Sequence, residues 1–211
     1  MIEPILPNLW RVGGRCWDGA QPSLSAEADA NVYLLRAGDR GLLIDCGSVE
    51  GRPLIEANVR EAGLEPDALT DLLLSHSHFD HTRGAAEWQR RRRLTTHLSS
   101  PGAEALAAGD MRLVGHAVQP PGYDFEPFDV DHAAEDGETF GVCDGRVEIA
   151  CAHLPGHTKD SALFAFDADG RRVGVCGDIT FGLDRTGKLG CIGWLCMLWG
   201  SDLAASRRGP T

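Results

Sequence analysis

Apolar and polar positions along the first half of the chain predict strands interleaved with helices. Residues 31–47 contain two apolar runs, NVYLL and LLIDCG, separated by a turn rich in Gly and Asp, and they predict a β-hairpin. Pro53 introduces apolar residues at helical spacing that end at Gly63, which predicts a helix. Residues 69–75 form a short apolar run typical of a buried strand.

The second half continues this alternation around one long loop. Helical patterns occur at residues 82–89 and 101–108. Residues 115–138 are rich in Pro, Gly and Asp, and we interpret them as a surface loop. Three further strands are predicted at residues 147–153, 162–166 and 172–176. Strands interleaved with helices over 211 residues indicate one α/β domain that spans residues 1–211.

Three histidines and an aspartate occupy six positions, HSHFDH, directly after the predicted strand at 69–75. Residues two apart in an extended segment point to the same side, so His76 and His78 can bind one ion. Imidazole nitrogen is a normal ligand of zinc. The chain then turns into a helix, which brings Asp80 and His81 to a second position nearby. The sequence therefore predicts a metal site that begins here.

This cluster resembles the signature of the metallo-β-lactamase fold superfamily, H-x-H-x-D-H. Later segments are similar to the superfamily as well, and they follow in the expected order. LPGHTKDS resembles the segment that supplies the third histidine of the first metal site, here His157. VCGDI resembles the segment that supplies a bridging carboxylate, here Asp178. LLIDCG places Asp45 where the superfamily usually has an aspartate behind the metal ligands.

The resemblance implies an α/β fold of the αββα sandwich type with a zinc site of one or two ions per chain, iron or manganese being alternatives. It implies hydrolysis of a small ester, thioester or amide by a metal-bound hydroxide. Asp80 is the expected catalytic residue, because it could ligate the second ion and also orient the nucleophile or carry a proton. The implied metal ligands are His76, His78, Asp80, His81, His157 and Asp178.

The end of the chain departs from the superfamily's pattern. A histidine on a strand near the C-terminus normally completes the second metal site, but no histidine follows His157. We expect that the last helix and strand are missing. Truncation of the chain is the favoured explanation, and a ligand from a partner subunit or a single-ion site are the alternatives. Apolar residues near the end would then promote a homo-oligomer: Trp194, Leu195, Leu198 and Trp199.

The motifs do not fix the substrate. Hydroxyacylglutathione hydrolases, which are glyoxalase II-type thioesterases, are similar in both histidine segments, although their frequent Pro-Gly after P-G-H-T is Lys159-Asp160 here. A β-lactamase, an iron-dependent enzyme resembling sulfur dioxygenases, and an inactive metal-binding member are the alternatives. The other histidines are interpreted as packed or surface residues: His97, His116, His132 and His153.

Charge and cysteine content narrow the partners and the location. The formal net charge of −11 disfavours a nucleic-acid partner, because such a partner requires a basic surface. Seven cysteines without a C-x-x-C pair do not resemble a disulfide framework. The N-terminus shows no signal-peptide pattern, and the apolar run at residues 191–199 is shorter than the ~20 residues of a membrane-spanning helix. We expect a reduced, soluble, cytoplasmic protein that acts on a small molecule and binds no membrane.

Overall fold

A computed structural model describes residues 2–14, 23–110 and 125–179 of the chain. Outside these ranges lie His116 and the apolar run at 191–199. The end of the chain, where we expect the last helix and strand to be missing, lies outside them as well. The strands within them are β1 Glu3–Leu6, β2 Leu9–Gly13, β3 Val32–Ala37, β4 Arg40–Ile44, β5 Leu69–Leu73, β6 Thr95–Ser99, β7 His132–Ala134, β8 Thr139–Val142, β9 Val147–His153, β10 Ala162–Ala168 and β11 Arg171–Val175. The α-helices within them are α1 Arg52–Glu61, α2 Phe79–Thr82, α3 Ala85–Arg92 and α4 Ser100–Ala107.

The strands form two sheets. The larger sheet has the order β1-β2-β3-β4-β5-β6-β7, and the smaller one has the order β11-β10-β9-β8. Strands β4 to β7 pair in parallel, whereas β1 to β4 and the whole smaller sheet are antiparallel. The carboxyl ends of parallel strands lie at one edge of a sheet. Asp45, Ser75 and Ser100 therefore begin their loops or helices at the same edge.

Alternate residues near β5 face two different cores. Leu72 and Leu74 pack with Trp88 of α3 on the helical side of the larger sheet. Leu73 packs with Phe164 of β10 in the core between the two sheets. Side chains alternate between the two faces of a strand, which explains why neighbouring leucines enter different cores. Both faces of the larger sheet are apolar here, because helices cover one and the smaller sheet covers the other. Helices, larger sheet and smaller sheet are three successive layers of the predicted αββα sandwich, and the α/β class is confirmed.

Several predicted elements are observed near their predicted positions. The hairpin at 31–47 is β3 and β4, joined at Gly38, whose φ of +68° suits a residue without a side chain. The helix introduced by Pro53 is α1, and the strands predicted at 69–75 and 147–153 are β5 and β9. No helix in the described ranges is long and apolar enough to cross a membrane.

The helix predicted at 82–89 is interrupted. Helix α2 ends at Thr82, and α3 begins at Ala85. The break has a physical cause, because Gly84 packs against the chain that follows β4. The Gly84 N–H donates to the Gly47 carbonyl at 2.7 Å, and a Cβ on Gly84 would lie only 3.1 Å from that oxygen. This contact holds the chain directly after the HSHFDH segment, residues 76–81, against the loop that follows β4.

The loop predicted at 115–138 is wrong in part. Residues 111–124 lie outside the described ranges, but strand β7 occupies His132–Ala134. Its residues His132, Ala133 and Ala134 pair in parallel with β6. A strand of three residues shows no periodicity that sequence reasoning can detect, and β-propensity depends strongly on the pairing partner. The sheet register, not the local composition, creates this strand.

Candidate metal centre

Four histidines and one aspartate converge at the edge of the larger sheet where β5 ends. His76 and His78 follow β5, and His81 lies in α2. His157 lies in the turn between β9 and β10, and Asp178 lies in a short helical turn after β11, Gly177–Ile179. All four histidines are buried. Distant parts of the chain therefore meet in one side-chain cluster.

The potential ligand atoms fall into two groups that share His76. The first ligand group is His76, His78 and His157, and the second ligand group is His76, His81 and Asp178; within each, the ligand atoms lie within 4.8 Å of one another. The His157 Nε2 atom is 3.0 Å from His78 Nδ1, and His81 Nε2 is 3.4 Å from Asp178 Oδ1. Two ligands bound at about 2.0–2.1 Å to one zinc ion lie roughly 3–4 Å apart. The spacing fits metal binding.

Two buried nitrogens in these groups lack a hydrogen-bond partner. They are His76 Nε2 and His81 Nε2, and none of the described residues donates to or accepts from them. An unpaired polar atom in a protein interior costs about 1–3 kcal/mol. A cation that accepts both lone pairs would remove this cost. The residues present therefore fit a metal ion.

Asp45 determines which ring nitrogen keeps its lone pair in the neutral forms of His76 and His81. Its Oδ2 lies 2.8 Å from His81 Nδ1, and because an ionised carboxylate only accepts, the Nδ1–H donates and Nε2 keeps its lone pair. Ser75 Oγ donates to the same Oδ2 at 2.9 Å, so it accepts from His76 Nδ1 at 3.1 Å. Both Nε2 atoms are thereby available for a metal. The structure places Asp45 in the position that the resemblance implies.

Charges in the cluster shift one another's pKa values. Burial, followed by the neighbouring imidazoles, holds the pKa of His76 well below its usual range. Burial also opposes the charged form of His81, but Asp45, Asp80 and Asp178 outweigh burial and raise the pKa well above its usual range. Burial alone would raise the pKa of Asp178, yet chiefly His81 lowers it to about 2. Negative charge is thus concentrated around His81, where it favours either a second proton on the imidazole, at Nε2, or a metal ion that would displace that proton.

Asp80 lies beside the second ligand group and is not part of it. Its Oδ2 is 3.8 Å from His81 Nε2, and its side chain is 26% exposed, compared with 4% for His81. Loss of hydration and repulsion from Asp178 raise the pKa of its carboxyl group. The structure therefore brings the predicted catalytic residue to the solvent side of the cluster. Its roles as ligand and as catalytic residue stay predictions.

Sequence reasoning missed two polar residues that support the ligands. Ser75 directly precedes the signature, and its hydroxyl joins Asp45 to His76. Asp160 Oδ2 accepts a hydrogen bond from the backbone N–H of Ser77, between the first two histidines, at 2.8 Å. A signal existed in both cases, because each residue lies within three positions of a predicted ligand. Its significance depends on contacts that the sequence does not display.

Several other polar residues near the site lie outside both ligand groups. Thr158 Oγ1 and Ser161 Oγ bond to each other at 2.7 Å within the turn that carries His157. Cys176 is half-buried and is not a member of either group. His97 and His153 were predicted to be packed or surface residues, and His97 is buried while His153 Nε2 lies 3.0 Å from the Ala134 carbonyl oxygen.

Known proteins are similar to this chain in sequence and in fold. The Metallo-beta-lactamase superfamily matches residues 27–196. The chain is 31% identical over 169 residues to the protein named "Probable metallo-hydrolase YqgX" of Bacillus subtilis (strain 168), covering 76% of this chain and 72% of that protein. It is 30% identical over 146 residues to a hydroxyacylglutathione hydrolase of Xanthomonas oryzae pv. oryzae (strain MAFF 311018), covering 69% of this chain and 46% of that protein. The chain spans less than half the length of several curated relatives that it matches.

A solved structure supports the same assignment. A metallo-beta-lactamase of Cronobacter sakazakii with a HARLDQ motif aligns with a TM-score of 0.65 and 24% sequence identity, covering 82% of this chain and 63% of that one. At that identity the likeness concerns the fold alone. The matched region 27–196 contains every residue of both ligand groups. This chain therefore belongs to the metallo-β-lactamase superfamily.

Proposed function

We propose that this chain hydrolyses a small acyl ester or thioester with the help of a metal ion held by the two ligand groups. One observation carries the proposal: the buried Nε2 atoms of His76 and His81 converge inside those groups without a hydrogen-bond partner among the described residues. The acyl substrate class is supported by the hydroxyacylglutathione hydrolase to which the chain is 30% identical. Hydrolysis is supported more broadly by the metallo-hydrolase at 31% identity.

The first ligand group would hold one ion, and His81 and Asp178 of the second ligand group would contribute to another beside it, because the single lone pair of His76 Nε2 can bind only one ion. A bound metal ion would supply a Lewis acid and bring the pKa of a water molecule close to neutrality. Zinc suits the donor set, because neutral imidazole and carboxylate are its common ligands. Three histidines on one ion leave a fourth position open, which is typical of catalytic zinc sites rather than structural ones.

The carboxylates mark the side from which substrate enters. The four histidines are buried, whereas Asp80 and Asp178 keep 26% and 32% of their side chains exposed. An acyl group therefore approaches past these two residues. Asp80 is close enough to the cluster to hold a proton that is transferred to or from the reacting group.

The test combines metal analysis with hydrolysis assays on the full chain. Protein purified without added metal is analysed for zinc, iron and manganese, and then assayed with a hydroxyacyl-glutathione thioester, p-nitrophenyl acetate and a chromogenic cephalosporin. We expect one or two zinc ions per chain and chelator-sensitive turnover of the thioester or ester. His157→Ala is expected to abolish turnover, and His153→Ala, four residues earlier, is the matched control that keeps it.

Each alternative has its own outcome in this test. Preferred turnover of the cephalosporin would replace the acyl ester by a β-lactam. Iron as the bound metal, without hydrolysis, would redirect the search to sulfur oxidation. Metal binding with no turnover of any substrate would favour an inactive metal-binding member. Protein that binds no metal even after zinc is added would contradict the proposal altogether.

A further inference from the structure

Asp160 is a buried carboxylate that the proposed function does not use. It is 1% exposed and lies in the same turn as His157, between β9 and β10. Its Oδ2 accepts from the Ser77 N–H at 2.8 Å, while its Oδ1 has no hydrogen-bond partner among the described residues. Burial raises the pKa of this carboxyl group, which means that its charge is poorly compensated. An acidic side chain in such a place costs stability, so its benefit must lie in the contact it makes.

The hydrogen bond from Ser77 to Asp160 connects the two segments that supply the first ligand group. Ser77 lies between His76 and His78, and Asp160 is three residues after His157. The backbone of Ser77 is held at its carbonyl as well, which accepts a hydrogen bond from Thr82 Oγ1 at 3.1 Å. The Asp160 carboxylate therefore holds the N–H side of Ser77 in place.

Hydrogen bonds within the turn couple the position of Asp160 to that of His157. The ends of this turn are joined by the hydrogen bond from Leu154 N–H to the Ser161 carbonyl at 2.9 Å, and within it the Gly156 N–H donates to the Thr158 carbonyl at 2.9 Å. The Asp160 carbonyl accepts from Ser99 Oγ at 2.6 Å, which fixes the segment to the end of β6.

The carboxylate also has little freedom to move. A Cβ on Gly102, in the first turn of α4, would lie 2.8 Å from Asp160 Oδ2 and 2.8 Å from Leu98 Cδ2. Only glycine leaves room for the observed side-chain position. A substitution of Gly102 would therefore displace the Asp160 carboxylate without altering the carboxyl group itself.

We infer that Asp160 is a positioning residue, which sets the distance from His157 to His76 and His78 through its hydrogen bond to the Ser77 amide. It thereby sets the affinity of the first ligand group for a metal ion. The inference rests on the proposed function to the extent that this group binds metal. It does not depend on which substrate is hydrolysed.

The experiment measures zinc affinity by competition with a chromogenic chelator, using the full chain and no substrate. Asp160→Ala removes the acceptor, and its zinc affinity is expected to fall about 10- to 100-fold, as is usual when a group that orients metal ligands is lost. Asp160→Asn keeps an acceptor oxygen of the same shape, and its affinity is expected to stay within about threefold of the native protein. Asp71→Ala is the matched control, because Asp71 is a buried carboxylate that accepts from the Cys143 N–H at 2.8 Å, away from the ligands.

The outcomes separate this inference from the proposed function. Native protein that binds no zinc would contradict the proposed function. Native protein that binds zinc, together with Asp160→Ala at unchanged affinity, would overturn the inference alone. A loss in Asp71→Ala equal to that in Asp160→Ala would also overturn it, because general destabilisation would then explain both. If Asp160→Ala does not fold, Gly102→Ala takes its place: weakened zinc binding supports the inference and unchanged binding overturns it.

Discussion

Two groups of histidines in this fold differ in what their ring nitrogens face. In the sheet cluster, His97 Nε2 donates to Asp71 Oδ1 at 2.8 Å, and His132 Nε2 donates to Glu138 Oε1 at 3.0 Å. The two Nδ1 atoms of these histidines lie 3.1 Å apart. Every ring nitrogen in this cluster therefore lies within hydrogen-bond distance of another polar atom. In the candidate metal centre, by contrast, His76 Nε2 and His81 Nε2 have no hydrogen-bond partner among the described residues.

The difference follows from where the residues lie in the larger sheet. His97 and His132 are direct neighbours across β6 and β7, so the parallel register fixes their contact. Residues within strands find partners on adjacent strands. His76 and His157 lie beyond the ends of strands, where loops are free to converge on a ligand. An unpaired nitrogen, and not burial by itself, distinguishes a binding site from a packed histidine.

The largest expected effect concerns the response of stability to zinc. Zinc at about 100 times its dissociation constant should stabilise the native protein by about 2.7 kcal/mol. His76→Ala should lose most of this gain, because His76 belongs to both ligand groups. The measurement is the free energy of unfolding in urea with and without zinc. His153→Ala is the control that retains the gain, and full stabilisation of His76→Ala would remove the distinction between the two clusters.

The opposite behaviour is expected in the sheet cluster. His97→Ala leaves the Asp71 carboxylate buried without its imidazole donor, which should lower the free energy of unfolding by about 1–3 kcal/mol. Zinc should stabilise this variant as much as the native protein, since His97 belongs to neither ligand group. The same urea titrations measure both quantities. Loss of zinc stabilisation in His97→Ala would show that the two clusters are coupled.

The smallest expected effect is the pH dependence contributed by Asp71. Burial would raise its pKa, but hydrogen bonds from His97, Thr70 and the Cys143 amide together hold it below the usual range of an aspartate. A carboxyl group with a depressed folded pKa stabilises the protein fully above its unfolded pKa, and that contribution is lost as the pH falls through the folded value. Asp71→Asn should therefore be less stable than the native protein at pH 7, with a difference that shrinks below about pH 4. A difference that is constant across this range would contradict the assignment.

Much of the fold could be predicted because its signals are local. The hairpin of β3 and β4 and the helix after Pro53 depend on turn residues and spacing within about ten positions. Strand β7 and the break at Gly84 could not be predicted, since both depend on contacts with distant chain: β7 pairs with β6, and Gly84 bonds to Gly47. Short polar strands carry too little periodicity to be recognised without their partners.

The sequence by itself determined which candidate metal ligands are present and in what order they follow one another, because ligand identity and the spacing of HSHFDH are properties of the chain. Only the tertiary structure decided that His157 and Asp178 join that segment, and that Asp45 leaves the correct nitrogens free. It also decided the role of Asp160, whose partner is the Ser77 amide. The physical reason is that side-chain spacing is a short-range property, whereas convergence at the sheet edge is fixed by parallel pairing between strands far apart in the chain.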